Sequence, residues 1–131
     1  MIKHVLLIAI LEEMERFEKK LEVLFESRPD EWQEIYTATR RQIQLCMTEL
    51  VKLAQDDLCM SAADGEQLRK VFERFRVLVK EHQEGWPVES IDLGDRLCVQ
   101  SFQNVRKASS EFKDFMRSLI DRYRVSMDEF T

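Results

Sequence analysis

Apolar residues recur along this chain at alternating intervals of three and four residues, and this spacing constrains the fold more than any other feature. The first series runs Leu7, Ile10, Met14, Phe17, Leu21 and Leu24. A mean interval near 3.5 residues places the series on one stripe of an α-helix, whereas a β-strand alternates every two residues. Three further stripes begin at Trp32, Leu68 and Cys98. The spacing therefore predicts an all-α protein.

Residues that break helices separate these four segments. The 131-residue chain has three glycines and two prolines, at Pro29, Gly65, Gly85, Pro87 and Gly94. A β-sandwich or barrel needs turn residues much more often. We predict helices over residues 3–27, 30–57, 62–84 and 95–127. Two short connections make successive helices antiparallel, so the leading architecture is an up-down-up-down four-helix bundle forming a single domain over 1–131.

Polar residues at the junctions predict how the helices begin and end. Ser27 and Ser61 each precede an acidic residue by three positions, which is typical of a helix N-terminus. Ser90, Asp92 or Asp95 is expected to cap the last helix. Gly85 is expected to end the third helix in the left-handed conformation.

The segment 5–11 is apolar around the whole helix, which leaves two interpretations open. It is too short to span a bilayer, and Glu12 and Glu13 follow it directly, so stable membrane insertion is disfavoured. One interpretation is an internal cap, in which this segment packs against Leu58, Met60, Val125, Met127 and Phe130. The other is a homodimer or partner interface, because an uncovered apolar patch favours association.

No residue pattern indicates catalysis or cofactor binding. Cys46, Cys59 and Cys98 lack the short spacing of zinc or redox motifs, and neither His4 nor His82 follows a glutamate by three residues. Cys46 and Cys98 fall on the stripes and are expected to be core thiols. His82 is expected to interact with the helix dipole in a last turn. We therefore predict no metal, no cofactor and no enzyme activity, and an odd cysteine count without a secretion signal favours the cytoplasm.

The charges predict an acidic protein that does not bind nucleic acid. The formal net charge is −5, and nucleic-acid binding depends on cations that neutralise phosphates. A basic stripe on the fourth helix comprises Arg106, Lys113, Arg117 and Arg124. We expect it to pair with Glu15, Glu18 and Glu22 of the first helix, although an acidic partner or nucleic acid is the alternative.

About 80 residues resemble small bacterial flagellar export chaperones of the FliT type. The resemblance rests on Asp30-Glu31-Trp32 followed by Arg40 or Arg41, and on the segments 68–73 and 105–108. It implies a cytoplasmic helical bundle that masks the amphipathic terminal helix of an export component or filament cap.

These features predict a non-enzymatic protein–protein interaction module, adaptor or export-chaperone-like, that binds an amphipathic helix of a partner. The partner-binding residues are expected to be Val5, Ile8 and Leu11, with Arg117 and Arg124 setting the polarity. The alternative is an obligate homodimer with a structural or regulatory role, in a phage or host-interaction setting, without a small-molecule site. An enzyme or cofactor-binding bundle is the third hypothesis.

Overall fold

The computed structural model describes the backbone of residues 2–128 and the side chains of residues 5–56 and 58–123. Over that range the chain forms four long helices and no β-strand, which confirms the predicted all-α helical-bundle class. The helices are α1 (Ile2–Ser27), α2 (Trp32–Asp57), α3 (Ala62–Gly85) and α4 (Arg96–Asp128). Their ends lie within two residues of the predicted ones. A short 3-10 helix at Val88–Ser90 divides the longer tract before α4.

The helices form two compact units. The first contains the chain up to Met60 together with the residues from Ile120 onward, and the second is Ser61–Leu119. The single-domain organisation and the up-down-up-down order of all four helices stay predictions.

In the first unit, α1 packs against α2 through their apolar stripes. The Phe25 ring lies 5.5 Å from the Tyr36 ring and 6.2 Å from the Trp32 ring, measured between centroids. The buried side chains of α1 and α2 follow the predicted spacing and are Leu7, Ile10, Leu11, Met14, Leu24, Tyr36, Thr39, Ile43, Cys46, Met47, Leu50, Val51 and Ala54. The broad stripe on α2 is what a globular bundle requires, since a thin coiled-coil seam would bury fewer positions per turn.

In the second unit, the contacts between α3 and α4 run in opposite order along the two helices. Phe72 lies near Phe112, with 6.3 Å between ring centroids, whereas His82, ten residues later, lies 4.2 Å from the Phe102 ring. An ion pair of 3.4 Å joins Arg74 to Glu111 between these two points. This order is the one expected of an antiparallel helix pair.

Two of the predicted helix caps are confirmed. The Ser61 side chain accepts a hydrogen bond from the Asp64 backbone N–H at 3.1 Å, at the start of α3. The Asp95 carboxylate accepts from the backbone N–H groups of Leu97, at 2.8 Å, and Cys98, at 3.4 Å. Both side chains satisfy donors that have no partner within the helix.

The Ser27 cap prediction is wrong. Ser27 is the last residue of α1, and its hydroxyl donates to the Val23 carbonyl oxygen at 3.0 Å. The chain turns first, with the Trp32 N–H donating to the Pro29 carbonyl at 3.0 Å, and α2 begins after Glu31 without a side-chain cap. The cause is local, because a serine inside the last helical turn satisfies its own hydroxyl by bonding back four residues.

Gly85 ends α3, as predicted, but the predicted left-handed conformation is wrong. No described glycine has a positive φ angle; the left-handed residues are Arg28, with φ 42°, and Cys59, with φ 51°. The Trp86 N–H bonds to the His82 carbonyl at 2.8 Å, so the α-helical hydrogen-bond pattern continues through Trp86 and stops before Pro87, which cannot continue a helix. Arg28 and Cys59 instead adopt the left-handed conformation just after α1 and α2, at the cost that a Cβ carries there.

Candidate functional site

The apolar segment at the start of α1 divides between core and surface. Leu7 is fully buried and Leu11 is 3% exposed, whereas Val5 is 67% and Leu6 is 44% exposed. Ile8 is half-buried. Leu11 was expected to contact a partner, but it lies in the core and is not accessible, because its position falls on the same stripe as Leu7 and Met14. Of the predicted apolar contact residues Val5, Ile8 and Leu11, Val5 has the most exposed side chain.

The internal-cap interpretation places the turn after α2 against the start of α1. Leu58 is 3% exposed and Met60 is half-buried, as that interpretation expects of a turn that covers apolar residues. The side chains of Val125, Met127 and Phe130 lie outside the described residues. Val5 and Leu6 are both exposed.

One exposed face of α1 extends from Val5 to Val23, and we call it the α1 face. Its members lie on one broad side of the helix and are all exposed: Val5, Leu6, Ala9, Glu12, Glu13, Arg16, Lys19, Lys20 and Val23. Val23 is 50% exposed and follows Val5 by 18 residues, which is five whole helical turns. The α1 face therefore carries an apolar start, acidic then basic residues, and a second apolar residue at its far end.

The basic residues expected on the fourth helix lie in α4, in different settings. The Arg117 side chain is 46% exposed and lies 3.8 Å from the Asp114 carboxylate, one turn away on the same helix. The Arg124 side chain lies outside the described residues. The expected pairing of the basic stripe with Glu15, Glu18 and Glu22 stays a prediction.

A second surface feature, on α3, was not anticipated from the sequence. A shallow open concavity is lined by Arg69, Lys70, Glu73, Arg74, Val77, Leu78 and Glu81. Val77 is 46% exposed in the middle of these charges. The Arg69 guanidinium donates to both Glu66 oxygens, at 3.1 and 2.6 Å, and this pairing lowers the pKa of Glu66 and raises that of Arg69. The concavity is a charged helix surface with two apolar side chains, Val77 and Leu78.

Two of the three cysteines are buried and one is exposed. Cys46 and Cys98 are buried, as predicted, and Cys59 is exposed in the turn after α2. Burial raises the pKa of the Cys46 thiol, and the nearby carboxylates of Glu13 and Glu49 raise it further. A protonated thiol is a poor nucleophile. Among the described residues, no three His, Cys, Asp or Glu side chains lie close enough together to hold a metal ion.

His82 has a structural role that its sequence position did not reveal. It lies in the last turn of α3, as predicted, but its side chain is 4% exposed. Its Nδ1 lies 2.7 Å from the Ser101 hydroxyl, and its ring packs 4.2 Å from the Phe102 ring centroid. The imidazole thus joins α3 to α4 within the second unit. A helix-dipole interaction alone would not require this burial.

None of the helices in the described range is sufficiently long and apolar to cross a lipid bilayer. Comparisons with protein-family models, characterised proteins and solved structures find no match to this chain. The candidate site therefore rests on the exposure and charge of its own residues.

Proposed function

We propose that the protein is a non-enzymatic interaction module, adaptor or export-chaperone-like, that binds an amphipathic helix of a partner on the α1 face. The observation that carries this proposal is the exposure of Val5 and Leu6 on a helix that Leu7 and Leu11 anchor in the core. Binding would remove these apolar side chains from water, which stabilises a complex by about 25 cal/mol per Å². A fixed helix surface also loses little conformational entropy when it binds.

The order of residues on the α1 face supports a helical ligand. Val5, Leu6 and Ala9 lie on adjacent turns, and charged residues continue along the same line. A second helix laid along this line would place apolar residues against the first two turns and charges against the rest. The site needs neither a cofactor nor a metal.

The resemblance to export chaperones of the FliT type supports the same kind of ligand. Such chaperones mask an amphipathic terminal helix, and two of the residues that carry the resemblance, Trp32 and Arg40, lie in α2. Trp32 and Tyr36 pack against Phe25, so this segment of α2 holds α1 in place. A cytoplasmic location is part of the proposal, since buried thiols such as Cys46 and Cys98 are typical of a reducing compartment.

A homodimer is the second candidate, and Val23 favours it. A monomer that binds a short partner helix would use only the first turns of the α1 face. The second exposed valine, five turns away at the same helical angle, gives the face two apolar ends. A second copy of α1 that lies antiparallel to the first would also have an apolar residue at each end of the contact.

Site-specific photocrosslinking in the producing cell tests the proposal. A photoreactive amino acid replaces Leu6, and in a matched control it replaces Leu45, which is 56% exposed on α2. We expect crosslinked protein from position 6 and none above background from position 45. Mass spectrometry of the product should place the crosslink on an amphipathic helix. Equal crosslinking at both positions, or none at position 6, would contradict the proposed function.

A further inference from the structure

We propose that the helix bound on the α1 face is α1 of a second copy of this chain, in antiparallel orientation. The inference rests on the proposed function, because it names the ligand of the same face. It comes from two residue pairs on the α1 face that are complementary when one copy is reversed, Val5 with Val23 and Glu12 with Arg16.

A two-fold axis through the middle of the α1 face produces this complementarity. In a two-fold dimer, if residue i contacts residue j of the partner, then j contacts i. An axis level with position 14 brings Val5 opposite Val23 of the partner subunit, and Glu12 opposite Arg16 of the partner subunit. Each pair therefore occurs twice. Val5 and Val23 share one helical angle, so their side chains meet on the same side of the dimer.

The central charges have the signs that this arrangement requires. Glu12, Glu13 and Arg16 are all exposed on the α1 face. In the antiparallel pair, Glu12 of each protomer lies opposite Arg16 of the partner subunit. The reversed arrangement, with parallel helices, would place Glu12 beside its own copy and Arg16 beside its own copy. Like charges at such separations repel, so the antiparallel orientation is favoured.

The size of this contact predicts a reversible dimer. From Val5 to Val23 the helix rises about 27 Å. One helix pair of that length buries less than the ~1,200–2,000 Å² of a stable interface. We therefore expect exchange between monomer and dimer in the micromolar range, so that a tighter partner helix can displace the second copy.

Sedimentation velocity over a dilution series measures the dimer dissociation constant. Variants with reversed charges at positions 12 and 16 test the inference. Glu12→Arg places arginine opposite arginine, and Arg16→Glu places glutamate opposite glutamate. We expect each single variant to raise the dimer dissociation constant about tenfold. The double variant Glu12→Arg/Arg16→Glu restores opposite charges and should dimerise like the parent chain. Glu49→Lys, an exposed charge reversal on α2, is the matched control. A chain that stays monomeric at every concentration, or a double variant that does not recover, would overturn the inference.

Chemical crosslinking tests the register independently. In a Cys59→Ser background, the double variant Val5→Cys/Val23→Cys should yield covalent dimer with a short bismaleimide. Either single variant should not, because two copies of position 5 would lie about 27 Å apart. Crosslinking of a single variant as efficient as that of the double would overturn the register.

The same experiments separate this inference from the proposed function. If the chain does not self-associate but position 6 still crosslinks to another protein, the dimer inference is wrong and the proposed function stands. A chain that crosslinks nothing at position 6 refutes both.

Discussion

The imidazole Nδ1 of His82, in the last turn of α3, lies 2.7 Å from the hydroxyl oxygen of Ser101, in the second turn of α4. The ring is buried and packs against Phe102 on its other side. Nineteen residues separate the two partners in sequence. The pair therefore holds the C-terminal end of α3 against the N-terminal end of α4, where the intervening tract contains only a short 3-10 helix.

Removing the Ser101 hydroxyl should destabilise the second unit. We expect Ser101→Ala to lower the free energy of unfolding by about 1–2 kcal/mol, because a buried imidazole loses a hydrogen-bond partner. Urea denaturation followed by circular dichroism measures the change. The control is Ser110→Ala, at an exposed position of the same helix, which should change stability by less than about 0.5 kcal/mol. Equal effects of the two substitutions would show that the His82 contact contributes nothing.

The two serines near helix ends offer a matched comparison of capping. Ser61→Ala should cost about 1 kcal/mol, since the Ser61 side chain accepts from the Asp64 N–H at the start of α3. Ser27→Ala should change stability by a few tenths of a kcal/mol, because its hydroxyl bonds back to the Val23 carbonyl inside α1. Thermal unfolding of both variants measures the difference. A larger loss for Ser27→Ala than for Ser61→Ala would contradict the assignment of these caps.

Much of the fold follows from patterns within single segments. The spacing of Tyr36, Ile43 and Leu50 predicts the buried stripe of α2, and the cap at Ser61 depends on residues three positions apart. Such features are local, so the sequence carries them directly. The exposure of Val5 is different, because the segment 5–11 is apolar all round and no periodicity distinguishes its core side.

Three features were not predicted, each for a different physical reason. The contact of His82 with Ser101 depends on the register of α3 against α4, which apolar spacing leaves undetermined. Val23 was missed as a surface residue although a signal existed, since it repeats the helical angle of Val5 after five turns. The left-handed residue after α2 is Cys59 and not a glycine, so no residue type in the sequence indicates it.

The Cys46 thiol should make stability depend on alkaline pH. Burial and the carboxylates of Glu13 and Glu49 raise its pKa, so the folded protein keeps the proton at a pH where the unfolded chain loses it. Its contribution to stability is therefore present below the unfolded pKa of about 8.5 and is lost as pH rises toward the folded value. The slope cannot exceed about 1.4 kcal/mol per pH unit, which corresponds to one proton.

Substitution of Cys46 measures this contribution. We expect Cys46→Ala to flatten the decline of unfolding free energy between about pH 8 and pH 10, while lowering stability overall through lost packing. Cys59→Ala removes an exposed thiol and is the control. In the parent chain, a thiol reagent should label Cys59 first and Cys46 only on unfolding. A pH slope that Cys46→Ala leaves unchanged would contradict the role of its raised pKa.

The left-handed backbone at Cys59 offers a stabilising substitution. Its φ of 51° places a Cβ in a crowded conformation, which glycine adopts without that cost. We expect Cys59→Gly to unfold at higher urea concentration than Cys59→Ala, with a difference of about 0.5–1 kcal/mol, because both substitutions remove the thiol and only one relieves the backbone. The turn follows α2 directly and precedes the Ser61 cap, so relief of strain there should stabilise both helix ends. Equal stability of the two variants would show that the turn at Cys59 carries no conformational strain.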